Sequence, residues 1–306
     1  MAERSQSLYS RKSEGVASRY FAGLKPYFLV TKPETVTLLV FTGVVGFAVA
    51  SRGVFPAGDF LVFLAALTLG CAGANTLTCY CDRDIDAIMV RTRKRPIPSL
   101  HLAPSRALIY GLALSALALA LSLELNALTF LLILAGILNN VIMYSAWTKR
   151  KTPFNIIIGS LAGGLPAVAG YAAYASAIDL RALFLGGIVM VWIPVHIWSL
   201  AIKYAEDYRR AGVPMLPVLV SQKSAVRMIA FVSCLMVVVS LVPVALGLFG
   251  LIYFYSAVVL GAISLALSFW LMVSPSDGRA WAVFKISSIY LGLLFLSVLL
   301  DFLLTV

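Results

Sequence analysis

The chain has 306 residues, 61% of them hydrophobic and 12% charged, with a mean hydropathy of +0.96. A soluble domain carries about 25% charged residues, so a soluble fold is excluded. Alternating-polarity segments of the barrel type are absent, which leaves an all-α polytopic membrane protein. The net charge of +11 calls for no nucleic acid, because most of it follows from membrane topology and attraction to anionic membrane lipid.

A hydrocarbon core needs about 20 apolar residues per helical span. Residues 1–26 read as a polar, basic N-terminal segment, mobile or lying as a surface helix, and residues 27–306 as one transmembrane domain. Spans are predicted at 33–50, 60–80, 106–123, 127–147, 154–175, 182–202, 226–247, 250–272 and 282–304, a bundle of nine helices. Ala48-Val49-Ala50 mimics a signal-peptidase site, but the apolar stretch before it is long for a signal peptide, so the first helix is expected to stay uncleaved. Of the 24 Lys and Arg, all but Arg52 and Arg181 fall on one side of this array. The positive-inside rule then places the N-terminus in the cytoplasm and the C-terminus outside. The outer turns at Leu123–Asn126 and Gly247–Gly250 are short, whereas the cytoplasmic loops after helices two and six are longer and carry most of the reactive side chains. Cys71, Cys79, Cys81 and Cys234 lack the spacing of a zinc site and read as structural thiols.

The end of helix two is the first place where chemistry is written. Asn75, Thr78, Asp82 and Asp86 fall on one stripe if the helix continues. Like charges one turn apart destabilise a bare helix, and a shared divalent cation removes that penalty. Magnesium takes one or two carboxylates and fills its remaining positions with water and phosphate oxygens. Asp84 points elsewhere and is expected to pair with Arg83 or Arg91. The run Arg91, Arg93, Lys94, Arg95 follows, with Arg91 and Arg95 spaced to face back toward the aspartates and neutralise a diphosphate. Lys149 and Arg150, at the end of helix four, can reach the same phosphates from across the bundle. On helix six, His196, Lys203 and Asp207 form a second stripe, with His196 about 10 Å deeper than Lys203 at the helical rise. An imidazole at that depth marks a functional site, and Pro194 is expected to kink the helix beside it. His101, in a polar loop, reads as structural.

The loops after helices two and six echo one another. Each runs from acids through basic residues to prolines, Arg95-Pro96-Ile97-Pro98 in one and Val213-Pro214-Met215-Leu216-Pro217 in the other. Two pseudo-repeated halves, with motifs at 75–98 and 192–217, would build a site where they meet. The expected site is a cavity open at the cytoplasmic boundary, with carboxylates and cations on its rim and one histidine in an apolar interior. It suits an amphiphile with a diphosphate head.

These residues resemble the intramembrane prenyltransferases of the UbiA superfamily. Asn75 through Asp82-Arg83-Asp84-Ile85-Asp86 to Met89, Arg91 and Thr92 is similar to the family's aspartate-rich motif, in the form found in its heme-farnesylating branch. The likeness extends through Thr31-Lys32-Pro33, Lys149 to Pro166, Trp192 to Ile202 and Asp207 to Pro217, and the last three helices match in hydropathy alone. It departs at Thr78, where the family usually has Asn, at Val195 in place of a second proline, and at Lys203, where most of the superfamily has an acid.

The resemblance implies an enzyme of the multi-pass cell membrane, or of the mitochondrial inner membrane in a eukaryote. It would join farnesyl diphosphate, or a longer prenyl diphosphate such as geranylgeranyl diphosphate, to heme B with addition of water, giving heme O and diphosphate. Mg2+ would be held by Asp82, Asp86 and Asp207 with Asn75 or Thr78, the diphosphate by Arg91, Arg95, Lys149, Arg150 and Lys203. His196 would ligate heme iron or orient the water. A heme A synthase or a terminal oxidase is the implied partner. Prenyl transfer to a quinone precursor or a lipid, and non-enzymatic heme carriage, remain the alternatives at this stage.

Overall fold

The computed structural model describes residues 23–304. Most of the segment expected over 1–26 lies outside the described residues, and 23–30 are helical. Among the described residues nine helices are long and apolar enough to cross a membrane. They are α1 (Pro33–Ser51), α2 (Ala57–Cys81), α3 (Pro104–Leu123), α4 (Ala127–Lys151), α5 (Asn155–Ala175), α6 (Leu180–Lys203), α7 (Gln222–Ala245), α8 (Leu251–Val273) and α9 (Asp277–Leu304). Their starts carry local signals. Pro33 and Pro104 sit in the first turns of α1 and α3, where a missing N–H costs nothing. Asn126, Asp179 and Ser221 cap α4, α6 and α7 by accepting backbone N–H groups.

α5 is the most deeply buried span, followed equally by α2 and α6, with α1 and α4 packed on α5, and α7 and α9 on α6. The α2–α3 pair completes one half, and α8 fits between α7 and α9 in the other. Small residues let the first half close: a Cβ on Gly46 would strike the Ala167 carbonyl of α5, and one on Gly170 would strike the Gly43 carbonyl of α1. Lipid supplies no hydrophobic drive between helices, so such backbone-to-backbone approach is where packing energy comes from.

Three irregularities position the site. α4 widens into a π-helix over Asn139–Thr148. α2 breaks at Asp82 before a short helix, Arg83–Ile88, and α6 breaks at Tyr204 before another, Ala205–Arg210. The continuous stripes expected through Asp86 and Asp207 are therefore each interrupted at one residue. α6 runs unbroken through Pro194. The four cysteines are free thiols.

At the far end of the bundle the Asp301 carboxylate of α9 accepts the backbone N–H groups of Gly250, Ile252 and Tyr253, capping α8 from a different helix. Removing it leaves buried donors without their anion, at a cost of about 1–3 kcal/mol. Asp301→Ala is expected to lower the thermal midpoint of the detergent-purified protein. Gly170→Val, which drives side-chain atoms into the α1 backbone, is expected to abolish the monodisperse species on size exclusion.

Candidate active site

The site lies where the loops after α2 and α6 meet. Asp82 and Asp86 are each 2% exposed and Asp207 is 8% exposed, so three carboxylates have been withdrawn from water. Each has a specific partner. Asp82 accepts from Ser145 Oγ at 2.6 Å and from Lys149 Nζ at 2.5 Å. Asp86 receives one guanidinium nitrogen of Arg95 on both oxygens, at 2.8 and 2.9 Å. Asp207 accepts the backbone N–H of Arg91 at 3.2 Å, across 116 residues of sequence. Arg91 also reaches the Tyr208 hydroxyl at 3.5 Å and lies 5.6 Å from the Tyr204 ring. The two motifs thus meet at Arg91, which turns to the second motif and not to Asp82 and Asp86.

The π-helix supplies the other side of the Asp82 pocket. Its register, fixed in part by the Thr148 hydroxyl bonding the Met143 carbonyl, delivers Ser145 and Lys149 to the same carboxylate. Arg150 faces outward to Asp84, with contacts of 2.7 and 2.8 Å. Asp84 is therefore paired with neither Arg83 nor Arg91. Arg83 instead bonds the Tyr80 carbonyl and covers the Tyr80 ring. The Arg150 hydrogen bonds hold the Asp84 carboxyl far below its ordinary range.

Asn75 and Thr78 are occupied with the start of α1. Asn75 donates to the Thr31 carbonyl, Thr78 to the Asn75 carbonyl, and Thr78 Oγ1 accepts from Lys32 Nζ at 3.0 Å. Lys32 adopts a left-handed backbone, φ 55 and ψ 66, unusual for a side-chain-bearing residue before proline. That conformation aims its ammonium into the site, and burial lowers its pKa. Lys32 was legible only as part of a resemblance; no local pattern announces a left-handed lysine.

Lys203 differs from the other cations. Among the described residues it has no ion pair; its Nζ lies 3.7 Å from the centre of the Trp281 ring and 5.7 Å from that of Tyr204. His196 lies deeper, partly buried between Trp192 and Phe284. Trp281, Phe284 and Ser287 of α9 thus line the second stripe. Hydropathy showed α9 as a span and gave no sign of this role.

Among the described residues no three His, Cys, Asp or Glu side chains are close enough to share a metal ion. The two buried carboxylates Asp82 and Asp86 fit Mg2+ in the manner of sites that draw their remaining ligands from water and substrate phosphate. An apolar crevice lies between α1, α2, α4 and α5, lined by Leu67, Ala74, Ile137 and Leu165 among others.

A bundle of spanning helices with carboxylates and cations gathered at one boundary defines an intramembrane enzyme of amphiphilic substrates. The chain matches the UbiA prenyltransferase family over residues 39–294, and it belongs to that family. It is 44% identical over 280 residues to the protoheme IX farnesyltransferase of Desulforudis audaxviator, covering 90% of this chain and 88% of that one. It is 38% identical to the protoheme IX farnesyltransferase of Symbiobacterium thermophilum, over 91% and 94%. A digeranylgeranylglyceryl phosphate synthase shares the fold with a TM-score of 0.78 at 20% identity, over 92% of this chain and 99% of that one. A UbiA homolog from Archaeoglobus fulgidus, bound to GPP and Mg2+, shares it with a TM-score of 0.63 at 18% identity, over 89% and 99%.

Arg95 is the main counter-ion of a carboxylate that is only 2% exposed. Arg95→Ala is expected to destabilise the protein by about 1–3 kcal/mol, and added Mg2+ should restore more of the thermal midpoint in this variant than in the parent.

Proposed function

We propose that the chain transfers a farnesyl group from farnesyl diphosphate to a vinyl group of heme B, with addition of water, giving heme O and diphosphate. The observation that carries this reading is the meeting of the two acidic motifs at Arg91, in a chain 44% identical to a protoheme IX farnesyltransferase.

Asp82 and Asp86 would hold Mg2+, while Asp207 accepts the Arg91 backbone N–H. Bound there, the ion neutralises developing charge on the diphosphate leaving group. That Mg2+ accompanies a prenyl diphosphate in the Archaeoglobus fulgidus homolog supports the assignment. Lys149 and Arg95 are paired to these same carboxylates. A diphosphate would give them a second anion to bind and leave Asp82 and Asp86 free to hold the ion. Lys203, with only aromatic rings beside it among the described residues, is the cation most free to take a phosphate oxygen. Arg91 and Lys32 extend the positive rim, and Arg150 closes its outer edge through Asp84. Asn75 and Thr78 act by holding Lys32 in place.

Fixed positive charge around the diphosphate lowers the barrier to breaking the allylic C–O bond. The apolar interior keeps water from the farnesyl cation until the vinyl carbon has attacked it. Water then adds to the carbon left electron-deficient, and its proton is lost to solvent or a nearby base. His196 faces heme and ligates its iron, since neutral imidazole is a usual heme ligand.

Charge asymmetry supports a cytoplasmic N-terminus and cytoplasmic opening of the site. The parallel breaks after α2 and α6 support two related halves. The product suits an acceptor such as a heme A synthase or a terminal oxidase.

Mass spectrometry of hemes after incubation with Mg2+, hemin under reducing conditions and farnesyl diphosphate is expected to show heme O, and EDTA to abolish it. Asp82→Ala is expected to cut turnover by about 100-fold or more. Full turnover in that variant, or prenylation of an added quinone precursor with none of heme, overturns the reading. Substitution with geranylgeranyl diphosphate reads out tolerance for the longer chain.

A further inference from the structure

Phe284 and Ser287 of α9 fix the state of the His196 ring. The imidazole is sandwiched between Trp192, with centroids 4.5 Å apart and planes inclined by 21°, and Phe284, at 4.2 Å and 26°. Trp281 stacks in turn on Phe284 at 4.8 Å and 14°. The sandwich settles the plane of the imidazole and leaves only its edges for polar contacts.

One edge is committed. His196 Nδ1 lies 2.9 Å from Ser287 Oγ, and that Oγ also lies 2.7 Å from the Phe284 carbonyl oxygen. A hydroxyl carries one hydrogen. Were it directed at Nδ1, the Oγ and the carbonyl oxygen would face each other at 2.7 Å with no hydrogen between them. With the hydrogen on the carbonyl, both contacts are satisfied only if Nδ1 bears a proton and donates it to Oγ. Ser287 cannot easily turn away: it is 1% exposed, and its backbone carbonyl accepts the Trp192 indole N–H at 2.6 Å.

We propose that Ser287 is a positioning residue that holds neutral His196 in its Nδ1–H tautomer and so presents the Nε2 lone pair to heme iron. A ring N–H anchored to an oxygen acceptor is the usual arrangement behind a metal-ligating histidine. The identity of the ligand rests on the function proposed above; the tautomer rests on the α6–α9 geometry alone. Two spans that meet nowhere in sequence would then be needed to make one ligand, with the ring from α6 and its orientation from α9.

The chain has two histidines, His101 and His196. In full-length protein labelled with 15N-histidine and reconstituted in lipid, a His101→Asn background leaves one imidazole to read by solid-state NMR. The expected spectrum has Nδ1 protonated and Nε2 bare, in this background and with Ser287→Thr added. Ser287→Ala keeps the backbone carbonyl that holds Trp192, and it is expected to shift the ring toward the other tautomer or a mixture. Protonation at Nε2 in the serine protein, or an Ser287→Ala spectrum identical to it, overturns the proposal.

Hemin titration followed by the Soret band gives a separate arm. Ser287→Ala is expected to weaken binding about tenfold or more, Ser287→Thr to retain it, and His196→Ala to lose the ligated spectrum. A His196→Ala protein with an unaltered Soret band would remove iron as the ligand, while the NMR arm still decides the tautomer.

Discussion

A carboxylate withdrawn from water must be paired, and the site is organised around that requirement. Three aspartates are buried at one end of a bundle that lipid surrounds, where an isolated charge would cost several kcal/mol. Each is matched by a partner from another part of the chain: Lys149 and Ser145 of α4, Arg95 from beyond the short helix, and the Arg91 backbone. These contacts bind the two motif loops to each other and to α4. The charges that hold the loops are also those a diphosphate and its metal would recruit, so structure and catalysis draw on one set of interactions. Such pairs contribute less to net stability than their geometry suggests, because desolvation offsets most of the attraction. Their value lies in placing charges within reach of a substrate.

The second half works differently. Its stripe presents one cation beside aromatic faces and one imidazole between rings, and aromatic contact does there what ion pairing does in the first half. An ammonium over an indole is held in position while its charge stays available. A site with a highly charged rim and a flat, π-rich interior matches a reaction that parts a prenyl group from an anionic leaving group and joins it to a planar macrocycle.

The spans were legible because each must carry a long apolar run, and the acidic motifs because carboxylates at a membrane boundary are rare. Ends were less so: α9 begins at Asp277, ahead of the predicted 282, because its first turn, Asp277-Gly278-Arg279, is polar and hydropathy does not register it. The stripes through Asp82 to Asp86 and Lys203 to Asp207 were drawn as continuous helix, and periodicity cannot reveal the breaks at Asp82 and Tyr204. Lys32 and Ser287 were illegible for a different reason. Lys32 matters through a backbone conformation that no side-chain pattern encodes, and Ser287 through a partner 91 residues away. Asp84 found Arg150 instead of its sequence neighbours because the end of α4 comes back beside it, a fact of packing alone.

The π segment of α4 makes the Asp82 pocket sensitive to length as well as to residue identity. In an α-helix each residue advances the face by about 100°, and a π turn accommodates an added residue without passing that rotation on. Ser145 and Lys149 lie in and just after the widened stretch. Loss of one residue from Asn139–Thr148 would let the backbone relax to ordinary pitch and keep Lys149 near its present face, yet shift Ser145, inside the stretch, against Asp82. A deletion in this span should therefore act on the charged rim through Ser145, whereas in a regular α-helical span it would rotate everything beyond it by about 100°.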